Sequence, residues 1–435
     1  MAQLSFKAAG LAMGVTGTLA FAAPALAQQD TEAMQRQLDS LRAQVERMEQ
    51  QLDAQQSTTT ADSGQATAQT RDLAEENRSL IESIQNSQFS GTLQLKGVYN
   101  DWDQVDKDTG GDMNFGKFTL GVDGQHGDFL YSFEYRFYDG YQFLKKGWMG
   151  YQASANDTVK VGLVQTPFGN MDYGYLGWYG TLPYLAGFND NQNAGIKWDH
   201  TQGAWDTSLA FFKSDQLGDG NEHYGANPVG SSAQGNTAEN QLAGRVAYTF
   251  GQGTDYTTEI NFSAKGGQLY NNQTNDSGSN WQAAVGLNGS YGSWLTQLQA
   301  TAYEYDAENP ANSGISDDVM QIGAFGFNYL IPAEGQMYSA SVGYSMNVDW
   351  GDIDNLYFYN DFSYISPEGD YTPVNGGFGE SVDDPMLNDL GMKVTAGPYY
   401  AWFSVVSNKN ALGYFGSPTD GDWHTSVQTN FGLNF

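Results

Sequence analysis

The sequence predicts an all-β chain that closes as a 16-stranded antiparallel transmembrane barrel, preceded by a short α-helical coiled coil. Three observations carry that prediction. From Phe89 onward, apolar and polar residues alternate with period two, the pattern of strands with one greasy and one wet face. Beyond the first 27 residues no run approaches the ~20 apolar residues a spanning helix needs, so strands must do any crossing. The last strand, Trp423 to Phe435, sets Val427, Phe431, Leu433 and Phe435 against Ser426, Gln428, Asn430 and Asn434.

The N-terminus reads as an export signal. Lys7 is followed by the apolar run Ala8 to Ala25 and then by Ala25-Leu26-Ala27, a small-x-small cleavage pattern that starts the mature chain near Gln28. The last strand, ending on an aromatic residue in a chain with such a leader, resembles the terminal strand of bacterial outer-membrane barrels. Composition agrees. There are 53 Gly, 10 Trp, 27 Tyr and 24 Phe, a usage that favours strands and interfacial girdles, and no Cys.

Residues 28–54 read as a coiled coil, because Met34, Leu38, Leu41, Val45, Met48 and Leu52 are spaced 4, 3, 4, 3, 4. Residues 55–70 are almost free of apolar side chains and read as a flexible linker. A short helix over 71–86 repeats the spacing in Leu73, Asn77, Leu80 and Ile84, with one polar seam position. The alternative for both helices is packing on the barrel; self-association fits better, since neither has a second apolar stripe.

The barrel region, 87–435, divides into strands near 88–99, 113–125, 129–138, 145–154, 158–165, 193–200, 204–213, 241–250, 257–266, 280–291, 294–305, 318–330, 336–347, 354–365, 386–407 and 422–435. Gly397-Pro398 leaves the stretch 386–407 open as one bent strand or two. Short connectors such as 125–128, 154–157, 201–203 and 251–254 alternate with long polar loops, the asymmetry of periplasmic turns and external loops. Lipid offers unpaired backbone groups no partner, so such a sheet must close, and 16 strands leave an aqueous channel.

Several short motifs then point to a family. Gly162-Leu-Val-Gln-Thr-Pro-Phe-Gly169, Gly121-Val-Asp-Gly124 with Phe133-Glu134-Tyr135, and Ala396-Gly-Pro-Tyr399 with Ser407-Asn-Lys-Asn410 resemble the phosphate-selective porin O/P superfamily. A signal peptide and coiled coil ahead of the barrel resemble its DcaP-like members. The resemblance implies a homotrimeric outer-membrane channel for small hydrophilic solutes, often anions such as dicarboxylates, with the coiled coil in the periplasm. Expected partners are those solutes, membrane lipid and lipopolysaccharide, with no nucleic acid and no cofactor.

Charge departs from a phosphate pore. From residue 87 onward 13 basic residues face 39 acidic ones, a net of −26. Alternation puts Lys96, Lys117, Arg136, Lys160, Lys197, Arg245, Lys265 and Lys393 on the wet face, against Asp123, Glu134, Asp199, Asp206, Glu259, Asp361 and Asp389. The wall is therefore nearly balanced and the mouth acidic, without the dense basic ladder a phosphate pore needs. Arg136 and Arg245, mid-strand, are the candidate solute contacts, each alternatively paired with a wall acid such as Glu134 or Glu259. Asp101, Asp103, Asp106, Asp108 and Asp112 crowd the first external loop and Asp349, Asp352 and Asp354 a later one, either solvated or bridged by divalent cations.

The long loop 166–192 carries Tyr173, Tyr175, Trp178 and Tyr179 and is the candidate constriction; its alternative is a subunit interface. Enzyme readings find little support. There is no Gly-x-Ser-x-Gly, no Cys and no zinc spacing, and the 4 His are scattered, so no catalytic or metal-binding residues are assigned. The remaining alternative is an adhesin or structural tether with a plugged barrel.

Overall fold

The structure is a computed structural model. It describes residues 87–368 apart from 216, 217, 219 and 312, and 385–435 apart from 414 and 415, together with Ala43 and Arg47. The signal peptide, the linker, the short helix and the seam of the coiled coil lie outside the described residues.

The chain order is β1 (Ser87–Asn100), α1 (Gln104–Thr109), β2 (Asp112–His126), β3 (Phe129–Phe137), β4 (Gln142–Gln152), β5 (Asp157–Gln165), α2 (Leu182–Leu185), β6 (Gln192–Gln202) and β7 (Trp205–Ser214). It continues with β8 (Asn227–Pro228), β9 (Asn236–Phe250), β10 (Tyr256–Asn271), β11 (Ser277–Tyr291), β12 (Trp294–Asp306), β13 (Val319–Ala324), β14 (Phe327–Pro332), β15 (Glu334–Trp350), β16 (Ile353–Glu368), β17 (Met386–Ala396), β18 (Tyr399–Lys409) and β19 (Trp423–Asn434). Of these, 16 close into one antiparallel barrel, and β14, β13 and β8 form a separate 3-stranded sheet.

The count of 16 agrees with the sequence, but through two offsetting differences. The stretch 318–330 is not a barrel strand. Phe325 (φ 55°) and Gly326 (φ 84°) fold it into the hairpin β13–β14, whose 6-residue arms are too short to span a membrane. The stretch 386–407 is two barrel strands, because Gly397 (φ 56°) and Pro398 make a two-residue turn closed by the Ala396–Tyr399 pair. A further correction concerns Asp349, Asp352 and Asp354. They flank the tight turn at Gly351 between β15 and β16, at the short-turn end, and not an external loop. In the first long loop, acids serve the backbone: Asp103 caps α1 through Val105 N (2.7 Å), and Asp106 accepts from Asn100 N (2.8 Å).

Burial is inverted relative to a water-soluble sandwich. Leu93, Leu120, Phe133, Met149, Leu209, Leu242 and Phe262 stand exposed on the outward face, whereas Gln94, Arg136, Arg245, Asn261, Gln282 and Asp361 are buried within. Rings such as Trp205–Tyr248 and Trp294–Tyr344, each pair 4.8 Å apart, stand near the short turns, as an interfacial girdle does.

Closure joins β1 to β19 and is completed by the terminal residue. Gly91 N donates to Phe435 O (2.8 Å) and Phe435 N to Gly91 O (3.0 Å), while the Phe435 ring lies over Gly91 and stacks with Phe118 at 6.3 Å. A Cβ at Gly91 would meet that ring and Thr119 O at 2.8 Å. Gly91→Val should therefore cost about 1–3 kcal/mol, as overpacking does, and lower the temperature at which the folded barrel loses its compact gel mobility. Unchanged heat resistance would show that the ring can move aside freely.

Candidate functional site: a constricted passage along one wall

The long segment between β5 and β6 folds into the barrel because the wall offers acceptors for its backbone. Leu176 N and Gly177 N donate to the two oxygens of Asp361 (3.0 and 2.6 Å), Tyr179 N to Asp389 (3.0 Å) and Leu182 N to Ser363 (2.9 Å). At its start Gly169 N and Asn170 N donate to Ser263 and Gln299, each at 2.8 Å. A loop without secondary structure can be buried only if its polar groups are matched in this way.

Apolar packing fixes the side it occupies. Phe168, Leu182, Leu185 and Phe188 join Tyr303, Met337, Ile365 and Leu387 of the wall in one buried cluster. Met320, Ile322 and Ile331 of β13 and β14 extend that cluster, and the Tyr329 hydroxyl donates to Leu185 O. The remaining opening lies against β18, β19 and β1–β3. It is a cavity of about 600 Å³ whose lining includes Lys96, Lys117, Arg136, Tyr173, Tyr175 and Trp178.

The expected site residues separate into three groups. Lys96, Lys117 and Arg136 line this cavity; Lys117 stands 5.3 Å over the Trp178 ring, and Arg136 is paired with Glu134 at 2.6 Å. Lys393 adjoins it, 5.2 Å over Trp402. Lys160 and Lys197, opposite one another on β5 and β6, share Asp199 at 2.8 and 3.2 Å, and Lys265 lies in register with Ala243 and Gln282 on the lumenal face. Arg245 lies beneath the loop, its side chain 3% exposed, paired with Glu259 and donating to Gly169 O (2.9 Å). It anchors the loop and does not face the open passage. Tyr173, Tyr175, Trp178 and Tyr179 all line the opening; Tyr179 is the most buried of them, and its N–H donates to Asp389.

Two contributors escape a strict alternation. Lys145 is the extra residue of a β-bulge, where β3 pairs Glu134 with Lys146 but Tyr135 with Leu144. The bulge turns both lysines inward: Lys146 meets Asp123 at 3.3 Å and Lys145 meets Asp190 at 3.4 Å. Adjacent lysines in an otherwise alternating strand were the available signal. The other is Tyr224, from the segment between β7 and β9. Its ring has Arg136 at 4.6 Å and Lys145 at 4.5 Å, and its hydroxyl donates to Asp190 (2.6 Å). Burial pushes the Tyr224 phenol well up, so it remains a donor.

The architecture is that of outer-membrane porins. The outer-membrane channel DcaP of Acinetobacter baumannii superposes with a TM-score of 0.50 at 11% identity, over 80% of this chain and 97% of that one. OmpF of Salmonella typhi, solved with daunomycin, gives a TM-score of 0.52 at 11% identity over the same shares. The anion-selective porin from Comamonas acidovorans gives 0.46 at 13% identity, over 80% and 99%. No protein-family model matches the sequence, and no curated protein matches it. At these identities the likeness is one of fold.

His223 tests how the second inward segment is held. Its Nδ1 lies 2.8 Å from Gly225 O, and burial lowers its pKa to about 4 from 6.5. The folded form is therefore the neutral one. Stability present at neutral pH is lost as pH falls from about 6.5 toward 4, by at most ~1.4 kcal/mol per unit. Acidification from pH 7 to 5 should increase proteolysis within 215–235, and His223→Gln should abolish that pH dependence. Equal sensitivity in both proteins would place the titrating group elsewhere.

Proposed function

We propose that this chain is an outer-membrane porin that passes small hydrophilic solutes and eases the passage of small organic anions, dicarboxylates among them. The observation that supports this best is the off-centre opening beside Lys117, with Lys393 nearby. Among the described residues neither lysine has a carboxylate within salt-bridge distance, and each stands over a tryptophan ring. Charge within a Debye length, ~8 Å at physiological salt, acts on a permeating ion far more than distant loop acids do. The constriction formed by 166–192, with Arg136, Lys145 and Lys117 on the facing wall, sets the local preference.

Membership of the phosphate-selective porin O/P superfamily, near its DcaP-like members, is the family reading the motifs favour. In that reading residues 1–27 are removed, 28–54 and 71–86 form a periplasmic coiled coil, and the barrels associate as a homotrimer. The exposed outward face meets lipid, and the acidic loops meet lipopolysaccharide through bridging cations. A tether with a plugged barrel would draw on the buried lumenal cluster, but that cluster leaves a cavity against β18, β19 and β1–β3.

Two measurements test this. In planar bilayers with a salt gradient, reversal potentials should show weak selectivity despite the net −26 of residues 87–435, and Lys117→Glu with Lys393→Glu should shift them toward cations. A cation-to-anion ratio above roughly ten in the unaltered protein would mean that the mouth dominates. Separately, removing residues 28–85 should weaken the detergent-stable trimer across a dilution series. Trimers of unchanged stability would assign the N-terminal segment another task.

A further inference from the structure

We infer that the passage is built for polyhydroxylated acids, of the class of a pyranose sugar bearing a carboxylate; this rests on the reading of the opening as a conducting channel. The wall from β16 to β18 carries a connected file of rings. Tyr357 lies 6.1 Å from Tyr359 and 6.4 Å from Trp402, and Trp402 lies 6.3 Å from Trp178 of the constricting loop. Tyr359 is covered by the loop at Gly177, but Trp178, Trp402, Tyr357 and Tyr400 are only partly buried. Such rings, presented one-sidedly along a wall, suit a solute with apolar C–H faces that moves from ring to ring.

The geometry disfavours a flat aromatic acid. A planar ring held on both faces needs two parallel rings about 7 Å apart, two van der Waals contacts of roughly 3.5 Å. Trp178 and Trp402 are inclined at 42°, and the parallel pair Tyr138–Tyr141, at 4.9 Å, leaves no slot. Linear dicarboxylates leave a different set of groups unused. The lining includes the amides of Gln94, Asn114 and Gln428, each with an acceptor as well as donors, beside the carboxylate of Asp139. A carboxylate accepts only, so these acceptors have no use for it, whereas a hydroxyl donates and accepts.

The cations complete the match. One register row around the wall, over the adjacent strands β1, β19, β18 and β17, runs Lys96, Asn430, Trp402, Lys393. Lys393 stands at the faces of both Trp402 and Tyr400, at 5.2 and 5.6 Å, where a carboxylate on a stacked ring would reach it. Asn430 in that row is fully buried, and neither its amide N nor its O has a partner. At that burial a permeating solute does not reach it, so the accessible groups of the row are Lys96, Trp402 and Lys393.

The test uses the full chain in planar bilayers, with D-glucuronate as probe and D-glucose, succinate and benzoate as comparators. Glucuronate should reduce potassium chloride current saturably, with a half-blocking concentration about tenfold below each comparator. Trp402→Leu and, independently, Lys117→Met should raise that concentration about fivefold or more relative to the one for glucose. Folding of each variant is checked by heat-modifiable mobility. Succinate or benzoate blocking as well as glucuronate, or both folded variants blocking like the parent, would overturn the sugar-acid assignment and leave the channel standing. Absence of any conductance would overturn the channel reading and this inference with it.

Discussion

The interaction on which the rest depends is the set of hydrogen bonds between the wall carboxylates Asp361 and Asp389 and the backbone of the inserted loop. The two acids face one another directly across β16 and β17 and are 1% and 0% exposed. Like charges in that position repel, and no lysine or arginine is paired with them among the described residues. What meets them is a run of N–H groups from Leu176, Gly177 and Tyr179. Wall and loop are thus mutually dependent. Without the loop the carboxylates would face water, and without the carboxylates the loop's N–H groups would be stranded in a buried position, at about 1–3 kcal/mol each.

That dependence follows from closure. A barrel in lipid must pair every strand, so its interior is wet by default and 16 strands make it wide. Narrowing it needs mass from the loops, and that mass needs both an apolar side and matched polar groups. The loop's Leu182, Leu185 and Phe188 supply the first and the wall's acceptors the second. Because the apolar packing draws on β10–β12 and β15–β18, the opening is displaced toward β18, β19 and β1–β3, and the residues lining it there are few.

The barrel was legible in the sequence because alternation is a consequence of having two solvents on two faces, and it persists for many residues. One segment assignment, 318–330, failed where that logic stops, and one stretch it leaves open, 386–407, is two strands. Met320, Ile322 and Ile331 lie inside the lumenal cluster, buried on both faces, so their apolar character signals internal packing and not lipid. Gly397 reverses the chain in two residues, and Gly397-Pro398 marks the spot in the sequence without deciding between a bend and a turn. The candidate site was half legible. Lys96, Lys117 and Arg136 follow from parity, whereas Tyr224 and Trp402 come into place through contacts between segments far apart in sequence, which no periodicity encodes.

The bulge at Lys145 shows how a local irregularity reaches the function. Regular alternation would have put either Lys145 or Lys146 into lipid, where a cation costs roughly 2–4 kcal/mol at the midplane. One inserted residue turns both inward, and the two meet different partners: Lys146 the wall acid Asp123, Lys145 the loop acid Asp190. Burial raises the Asp190 carboxyl above its ordinary range, Lys145 pulls against that rise, and the carboxyl accepts from the Tyr224 hydroxyl. Tyr224 in turn holds its ring between Lys145 and Arg136, each desolvated cation–π contact worth up to ~2 kcal/mol. Parity places Arg136, and the single extra residue in β4 places the lysine that helps hold the Tyr224 ring against it.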